Sequence, residues 1–262
     1  MPKIVFFDID GTIWDWDTNI PESTITAIRC LRANGHKAFL CSGRSRGNIR
    51  SQKLFDIGFD GVIAACGNHV EMDGKILYER ILEPELVKKI VDLCTEHRMP
   101  VVLEGPVKHW LSDWGFEEDP FIDYLLDDMG ENAVYLHGYT DDIHINKFSA
   151  DVLPDTNYEA IKSALEDEFD FMMHDNVVLE CTPKGTSKAT GIEWLCKYLG
   201  VAKEDTYGIG DSINDLEMLQ CVGHGIAMGD GTQAAKDVAE YVTTPLWEDG
   251  IYHALQHYGL IS

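Results

Sequence analysis

The stretch IVFFDIDGTIW, Ile4 to Trp14, decides how the rest of the chain is read. Four apolar residues, Ile4 to Phe7, run directly into Asp8, Ile9, Asp10, Gly11 and Thr12. A short apolar run flush against turn residues predicts a buried strand. Side chains alternate along a strand, so Asp8 and Asp10 can project to the same side, where their like charges repel. Taken alone, the Asp-Gly pair reads equally well as an ordinary turn after a strand. What compensates two neighbouring carboxylates at a strand end is the question that the remaining sequence answers.

Composition sets the outer bounds. With 262 residues and 45% hydrophobic content, the chain has enough apolar surface for one large domain or two smaller ones. No apolar run is long enough for a membrane span, and MPKIV leads into the first strand without the three regions of a signal peptide. The seven cysteines (Cys30, Cys41, Cys66, Cys94, Cys181, Cys196 and Cys221) include no CxxC pair and lie mostly in apolar segments. They read as reduced core thiols of a cytoplasmic protein and argue against a zinc site. A formal charge of −24 leaves no basic surface for phosphate backbones, so neither nucleic acid nor an anionic membrane is an expected partner, and no protein partner is evident.

Along the chain, strand-length apolar runs alternate with helical patterns. After the opening strand, IPESTITAIRCLRANG places Ile25, Ile28 and Leu31 at helical spacing between Pro21 and Gly35. KAFLC predicts a second strand, residues 45–57 a further helix, and GVIAA a third strand. This β-α-β-α-β series is the signature of a Rossmann-like, doubly wound parallel sheet in an α/β fold. HVEMDGKILYE then reads as a hairpin turning at Asp73-Gly74. From about Glu83 the order changes to mixed α+β, with a helical EPELVKKIVDLCTEHR, strands at PVVLE, IHINKFSA and NVVLEC, and an acidic, aromatic segment from Trp110 to Asp128. Alternation resumes with a helix at SKATGIEWLCKYLG, a strand at TYGIG and a helix at INDLEMLQ. The expected organisation is a core of 1–82 and 184–262 interrupted by an inserted α+β domain over 83–183.

In open α/β sheets, ligands bind at the carboxyl ends of the strands. Those ends carry Asp8 and Asp10 after IVFF, Ser42-Gly43-Arg44 after AFLC, and Gly210-Asp211-Ser212 after TYGI, with Asp215 close behind. Four carboxylates converging on one crevice would be strongly destabilising, and a hard divalent cation with oxygen ligands, most plausibly Mg²⁺, is the expected remedy.

The set DIDGT (8–12), CSGR (41–44), SK (187–188) and GDSINDLEML (210–219) resembles the four motifs of the haloacid dehalogenase superfamily of phosphatases. The later AMGDGTQAAKDVAEYVT and EDGIYHAL are similar to closing segments of its Cof-like sugar phosphatase branch, which carries a type IIB cap. The match spans the core in the right order, whereas the insert agrees only in length and coarse pattern. Because Thr12 and Pro21 lie too close for a domain and Ser42 and Lys188 lie far apart, the insertion takes the position that the family calls a C2 cap.

The resemblance implies a Mg²⁺-dependent hydrolase of small phosphorylated metabolites, such as hexose phosphates. Asp8 would be the nucleophile, forming an aspartyl-phosphate, and Asp10 the general acid and base that also offers its backbone carbonyl to the metal. Asp8, Asp10 and Asp211 would hold Mg²⁺, with Asp215 as a further metal or supporting group. Ser42, Gly43 and Lys188 would bind the phosphoryl oxygens, and Asn214 would donate to them or orient a metal water. The alternatives are a phosphotransferase or phosphomutase of the same superfamily, and a phospho-acceptor sensory protein.

Each residue also has a plainer reading. Lys188 alone is a solvated lysine, Lys184 competes for its role, and Ser42 alone is a helix N-cap. Arg44 fits either a substrate contact or a surface ion pair. Histidines 69, 109, 137, 144 and 174 lack metal-ligand spacing and read as surface or core residues, while Trp110, Trp114 and Phe116 read as packing of the insert. One departure stands out: relatives carry NGA after the third strand, where this chain has Cys66-Gly67-Asn68-His69.

Overall fold

A computed structural model describes residues 2–117, 119–174 and 177–262. The first part of the chain forms β1 (Ile4–Phe7), β2 (Lys37–Cys41), β3 (Gly61–Ala64), β4 (His69–Met72) and β5 (Lys75–Glu79). There follow β6 (Val101–Glu104), β7 (His109–Ser112), β8 (Ala133–Leu136), β9 (Lys147–Asp151), β10 (Phe169–His174) and β11 (Val178–Pro183). The last part contributes β12 (Thr206–Gly210), β13 (His224–Ala227) and β14 (Tyr241–Val242).

Among the described residues, two sheets form. The first has the order β14-β13-β12-β1-β2-β3-β4-β5, parallel from β14 to β3 and antiparallel at β3/β4. The opening strand lies inside it with all four residues buried, which is why IVFF shows no polar alternation: a central parallel strand is covered on both faces. Ile4 and Phe6 join a core with Phe39, Ile192 and Leu195, and Val5 and Phe7 are buried on the opposite face. The β4–β5 hairpin turns at Asp73-Gly74, both with positive φ (50° and 71°), as a tight two-residue connection between right-twisted strands requires. This is the α/β, doubly wound parallel sheet expected from the sequence.

The second sheet has the order β10-β11-β9-β6-β7-β8, antiparallel except for β7/β8. Alternation divides its side chains cleanly. Val101, Leu103, Phe148, Ala150, Leu179 and Cys181 point to one face, where helices Pro84–Glu96 and Tyr158–Leu165 complete the core. Val102 and Leu111 point to the other and meet Ile122, Leu125 and Met129 of helix Pro120–Met129. Trp110 is buried in this unit's core and Phe116 packs at its margin.

The chain separates into two compact units, 1–43 with 51–78 and 187–262, and 44–50 with 79–186. The divisions at 78/79 and 186/187 fall a few residues from the expected 82/83 and 183/184, and the short segment 44–50 groups with the insert. That segment is also where a single helix over 45–57 was expected. Instead a 3₁₀ turn, Arg46–Asn48, and a one-turn helix, Gln52–Phe55, form separately, because the chain passes between units at 50/51. A Cβ at Gly47 would sit 2.7 Å from the carbonyl oxygen of Gly105, so this close backbone approach requires glycine. IHINKFSA is extended only from Lys147, and strands β7, β8 and β10 and helix Tyr158–Leu165 carry too little periodicity to stand out in the sequence. Cys41, Cys94 and Cys181 are core thiols as expected, whereas Cys30 is exposed. Among the described residues, no helix is long and apolar enough to cross a membrane.

Segment 44–50 is fixed to the second unit by buried polar contacts. The Ser45 hydroxyl lies 2.6 Å from His109 Nε2, and His109 Nδ1 touches Met129 Sδ. Burial, together with the Lys147 and Arg50 charges, lowers the His109 pKa from 6.5 to about 3. Below pH 6.5 the unfolded chain therefore takes up a proton that the folded one refuses, and stability falls as pH drops from 6.5 toward 3. At pH 5 the loss from this one group is about 2 kcal/mol. Urea unfolding of His109→Gln should show a stability change between pH 7 and 5 that is smaller by about that amount. An unchanged difference would mean that His109 is not held neutral in the fold.

Candidate active site

Asp8 is the first residue past β1. Its backbone N–H donates to Ile209 O at 2.9 Å, extending the pairing with β12 and holding the buried carboxylate at the strand end. Neighbouring strands bring the other expected groups to the same end. Phe7 lies opposite both Leu40 of β2 and Ile209 of β12, so Ser42-Gly43 and Gly210-Asp211 emerge beside Asp8. Ser42 is buried; its N–H donates to Ile63 O (2.9 Å) and its carbonyl accepts from Cys66 N (3.3 Å).

Lys188 opens helix Lys188–Leu199 immediately after the extended Ser187. Its side chain is only 1% exposed and its ammonium donates to Asp8 Oδ1 (2.5 Å), Asp215 Oδ1 (2.6 Å) and Asn214 Oδ1 (3.3 Å). Lys184, the competing lysine, is exposed and belongs to the other unit. Asn214 Oδ1 also accepts from Ser212 Oγ (2.9 Å), so only its NH₂ end can serve a ligand oxygen. Asp215 is fully buried, and its Oδ2 accepts from the N–H groups of Asp211 and Ser212 at 3.0 Å each. Both its oxygens are thus occupied in holding the Gly210–Ser212 loop and Lys188. A Cβ on Gly210 would fall 2.5 Å from Asp215 Cγ, which is why glycine precedes Asp211.

Asp211 is braced from two sides. Thr12 Oγ1 donates to its Oδ1 at 3.3 Å, and Thr232 N donates to its carbonyl at 2.7 Å. Gly11, at φ +77°, passes so close that a Cβ would sit 2.6 Å from Asp211 Oδ2. The expected sharp turn at Gly11 therefore has a second cause, the approach of this carboxylate. Asp8, Asp211 and Asp215 each offer an oxygen within 4.8 Å of the others. The Asp10 carboxylate is not one of these three. Its Oδ1 accepts the indole N–H of Trp14 at 2.8 Å.

The electrostatics state the charge problem directly. Burial, and then the Asp215 charge, pushes the Asp8 carboxyl well above the usual carboxylate range. The same two causes raise Asp211 to about 7. For Lys188, burial alone would lower the pKa, but Asp215 and Asp8 outweigh it and hold the ammonium well above its ordinary value. One cation faces three carboxylates. A hard divalent ion at Asp8 and Asp211 fits this donor set, since oxygen ligands and excess negative charge are both present.

Thr12 and Trp14 were not singled out in the sequence as site residues. Both lie in the opening motif, but what they touch follows only from the coiled path after Ile9. Arg44 groups with the second unit. Cys66, at the position where the resemblance leads one to expect Asn, has a φ of 51°, a left-handed conformation that Asn tolerates better than Cys. His69 is a buried residue beside Glu71 (3.6 Å).

Lys188→Met should leave Asp8 and Asp215 buried without their partner and cost about 3–5 kcal/mol in chemical unfolding without added metal. Lys184→Ala should stay within about 0.5 kcal/mol. The opposite order would contradict the assignment of Lys188 to the site.

Residues 5–255 match the haloacid dehalogenase-like hydrolase family. YkrA of Bacillus subtilis (strain 168), named as a candidate phosphatase, is 32% identical over 263 residues, covering 99% of each chain. The HMP-PP phosphatase of Yersinia enterocolitica is 28% identical over 98% of this chain and 96% of its own. Among solved structures, a Geobacillus kaustophilus HTA426 protein superposes with TM-score 0.87 at 30% identity over 100% of both chains. BT4131, a subclass IIB sugar phosphatase of the same superfamily, superposes with TM-score 0.81 at 25% identity over 99% of this chain and 100% of its own.

Proposed function

This chain belongs to the haloacid dehalogenase-like hydrolases and is a phosphatase, and from that premise we propose that it hydrolyses small phosphorylated metabolites, sugar phosphates foremost, with Mg²⁺ and an aspartyl-phosphate intermediate. The observation that carries the reading is Asp8, buried at the strand end with Lys188 Nζ 2.5 Å from its Oδ1 and Asp211 beside it. Family members typically use a divalent metal, and Asp8, Asp211 and the Asp10 carbonyl are the groups that would hold it, with Asp215 supporting from behind. When bound, Mg²⁺ supplies charge neutralisation for the approach of a phosphate dianion to a carboxylate.

The chain's own residues supply the rest. In the first transfer an Asp8 oxygen forms a bond to phosphorus while the bond from phosphorus to the leaving oxygen breaks in line, and Asp10 gives that oxygen its proton. In the second, Asp10 takes a proton from water as the water oxygen bonds to phosphorus, and the acyl-phosphate bond breaks to return the Asp8 carboxylate and release phosphate. Lys188, the Asn214 amide, Ser42 and the Gly43 backbone stabilise the equatorial phosphoryl oxygens. The two carboxylates suit these different roles because their surroundings differ: Asp8 is buried beside a lysine, while Asp10 is half-exposed and bonded to an indole.

The substrate class rests on the likeness to BT4131. In the inserted domain Lys147 is nearly buried between Glu180 and Glu104 (3.6 Å to the latter), a polar row on the sheet face opposite the main core of that unit. The net charge of −24 speaks against nucleic acid and anionic membranes as partners. Its cysteines, all free thiols, suit the reducing cytoplasm.

A phosphate-release screen over a metabolite panel tests the reading. Turnover should require Mg²⁺ and cease with a chelator, with sugar phosphates preferred over phosphoproteins and nucleic acids. Asp10→Asn should lower the rate on alkyl phosphates by about 10²- to 10⁴-fold. Equal rates without metal, or phosphate recovered on a second hydroxyl instead of in solution, would overturn the proposal.

A further inference from the structure

Among the described residues, Asp8, Asp211 and Asp215 form the cluster suited to a cation, and their partners differ. Asp8 and Asp215 both accept from the Lys188 ammonium. Asp211 accepts from a neutral group, the Thr12 hydroxyl, 3.3 Å from its Oδ1. Facing a carboxylate, which has no proton to give, that hydroxyl is the donor. Thr12 is fully buried and lies in a tight coil, where its N–H and that of Ile13 both donate to Ile9 O (3.4 and 2.9 Å), so a fixed backbone presents the hydroxyl. The Asp211 main chain is fixed as well. Thr232 donates to its carbonyl oxygen through both its N–H (2.7 Å) and its hydroxyl (3.1 Å). The Gly11 backbone runs beside Asp211 Oδ2, where a Cβ would sit 2.6 Å away.

We propose that Thr12 is a positioning residue for the metal: its hydroxyl holds the Asp211 carboxylate in one rotation before the cation arrives and thereby sets the affinity of the site for a divalent ion. The inference rests on the proposed use of a divalent metal and goes beyond it by naming the group that prepares one of the ligands. Two features fit Thr12 to this task. A neutral donor leaves the carboxylate its formal charge, whereas an ammonium on the same oxygens would compete with the cation. A β-branched side chain has little freedom about χ1, so a buried threonine keeps its hydroxyl on the oxygen it faces. Removing such a partner from a ligating carboxylate typically costs about 10- to 100-fold in metal affinity.

Equilibrium binding of Mn²⁺ to the whole chain, with no substrate present and the free ion read by its electron paramagnetic resonance signal, tests this independently of turnover. Mg²⁺ is then titrated against the bound Mn²⁺, since both are hard cations that take oxygen ligands. Thr12→Val keeps the shape of the side chain and removes the donor; Thr12→Ser keeps the donor and removes the methyl group. Thr12→Val should weaken the binding of both ions by about 10- to 100-fold, and Thr12→Ser by less than about threefold. Thr12→Ala makes the same comparison should the Val variant not fold. Affinity unchanged in Thr12→Val, or lowered equally in Thr12→Ser, would make Thr12 a packing residue and overturn the inference. Failure of the unsubstituted protein to bind either ion would instead remove the metal reading on which the inference rests, and the two failures are thereby separated.

Discussion

A buried lysine held between two carboxylates organises this molecule. Lys188 reaches Asp8 at the end of β1 and Asp215 behind β12, joining segments at opposite ends of the chain. Its desolvation is offset by these two carboxyl groups, and theirs is eased by its presence. The arrangement holds the Gly210–Ser212 loop through Asp215 and fixes Asp8 at the strand end. With Asp211 beside them, one cation still faces three carboxylates. Phosphatases of this superfamily typically use a divalent metal, and this cluster of carboxylates offers the oxygen donors for one.

The fold was legible wherever burial is complete. IVFF, AFLC and GVIA are apolar because each lies inside the first sheet, and their ends carry the polar residues that cannot be buried in it. The hairpin at Asp73-Gly74 was legible because two consecutive left-handed residues demand that pair. Segment 44–50 was not: the backbone contact at Gly47 and the Ser45–His109 pair depend on a unit formed from distant sequence. No residue of strand β8 is buried and its sequence shows little alternation, so no local pattern marks it.

The site was legible in residue type more than in role. Asp8, Asp211, Asp215 and Lys188 come together, and the choice of Lys188 over Lys184 follows from a helix start that places only the former beside Asp8. Asp215 reads from sequence as a metal ligand or its support, and its two occupied oxygens favour support. The tie between Asp10 and Trp14 could not be foreseen, because it depends on the tight coil after Ile9 and not on spacing. Specificity is the least legible part. No sequence motif marks it, and the side-chain register of the second sheet, such as Glu104 opposite Lys147, appears only when the strands pair.

The central claim is that phosphate passes through Asp8. Acid quenching of the Mg²⁺-loaded protein during turnover, followed by peptide mapping by mass spectrometry, reads it directly. The account predicts one added phosphoryl group on the peptide containing Asp8, discharged by hydroxylamine as an acyl phosphate is and absent in Asp8→Asn. A phosphoryl group on any other residue, or substantial turnover by Asp8→Asn, would contradict it.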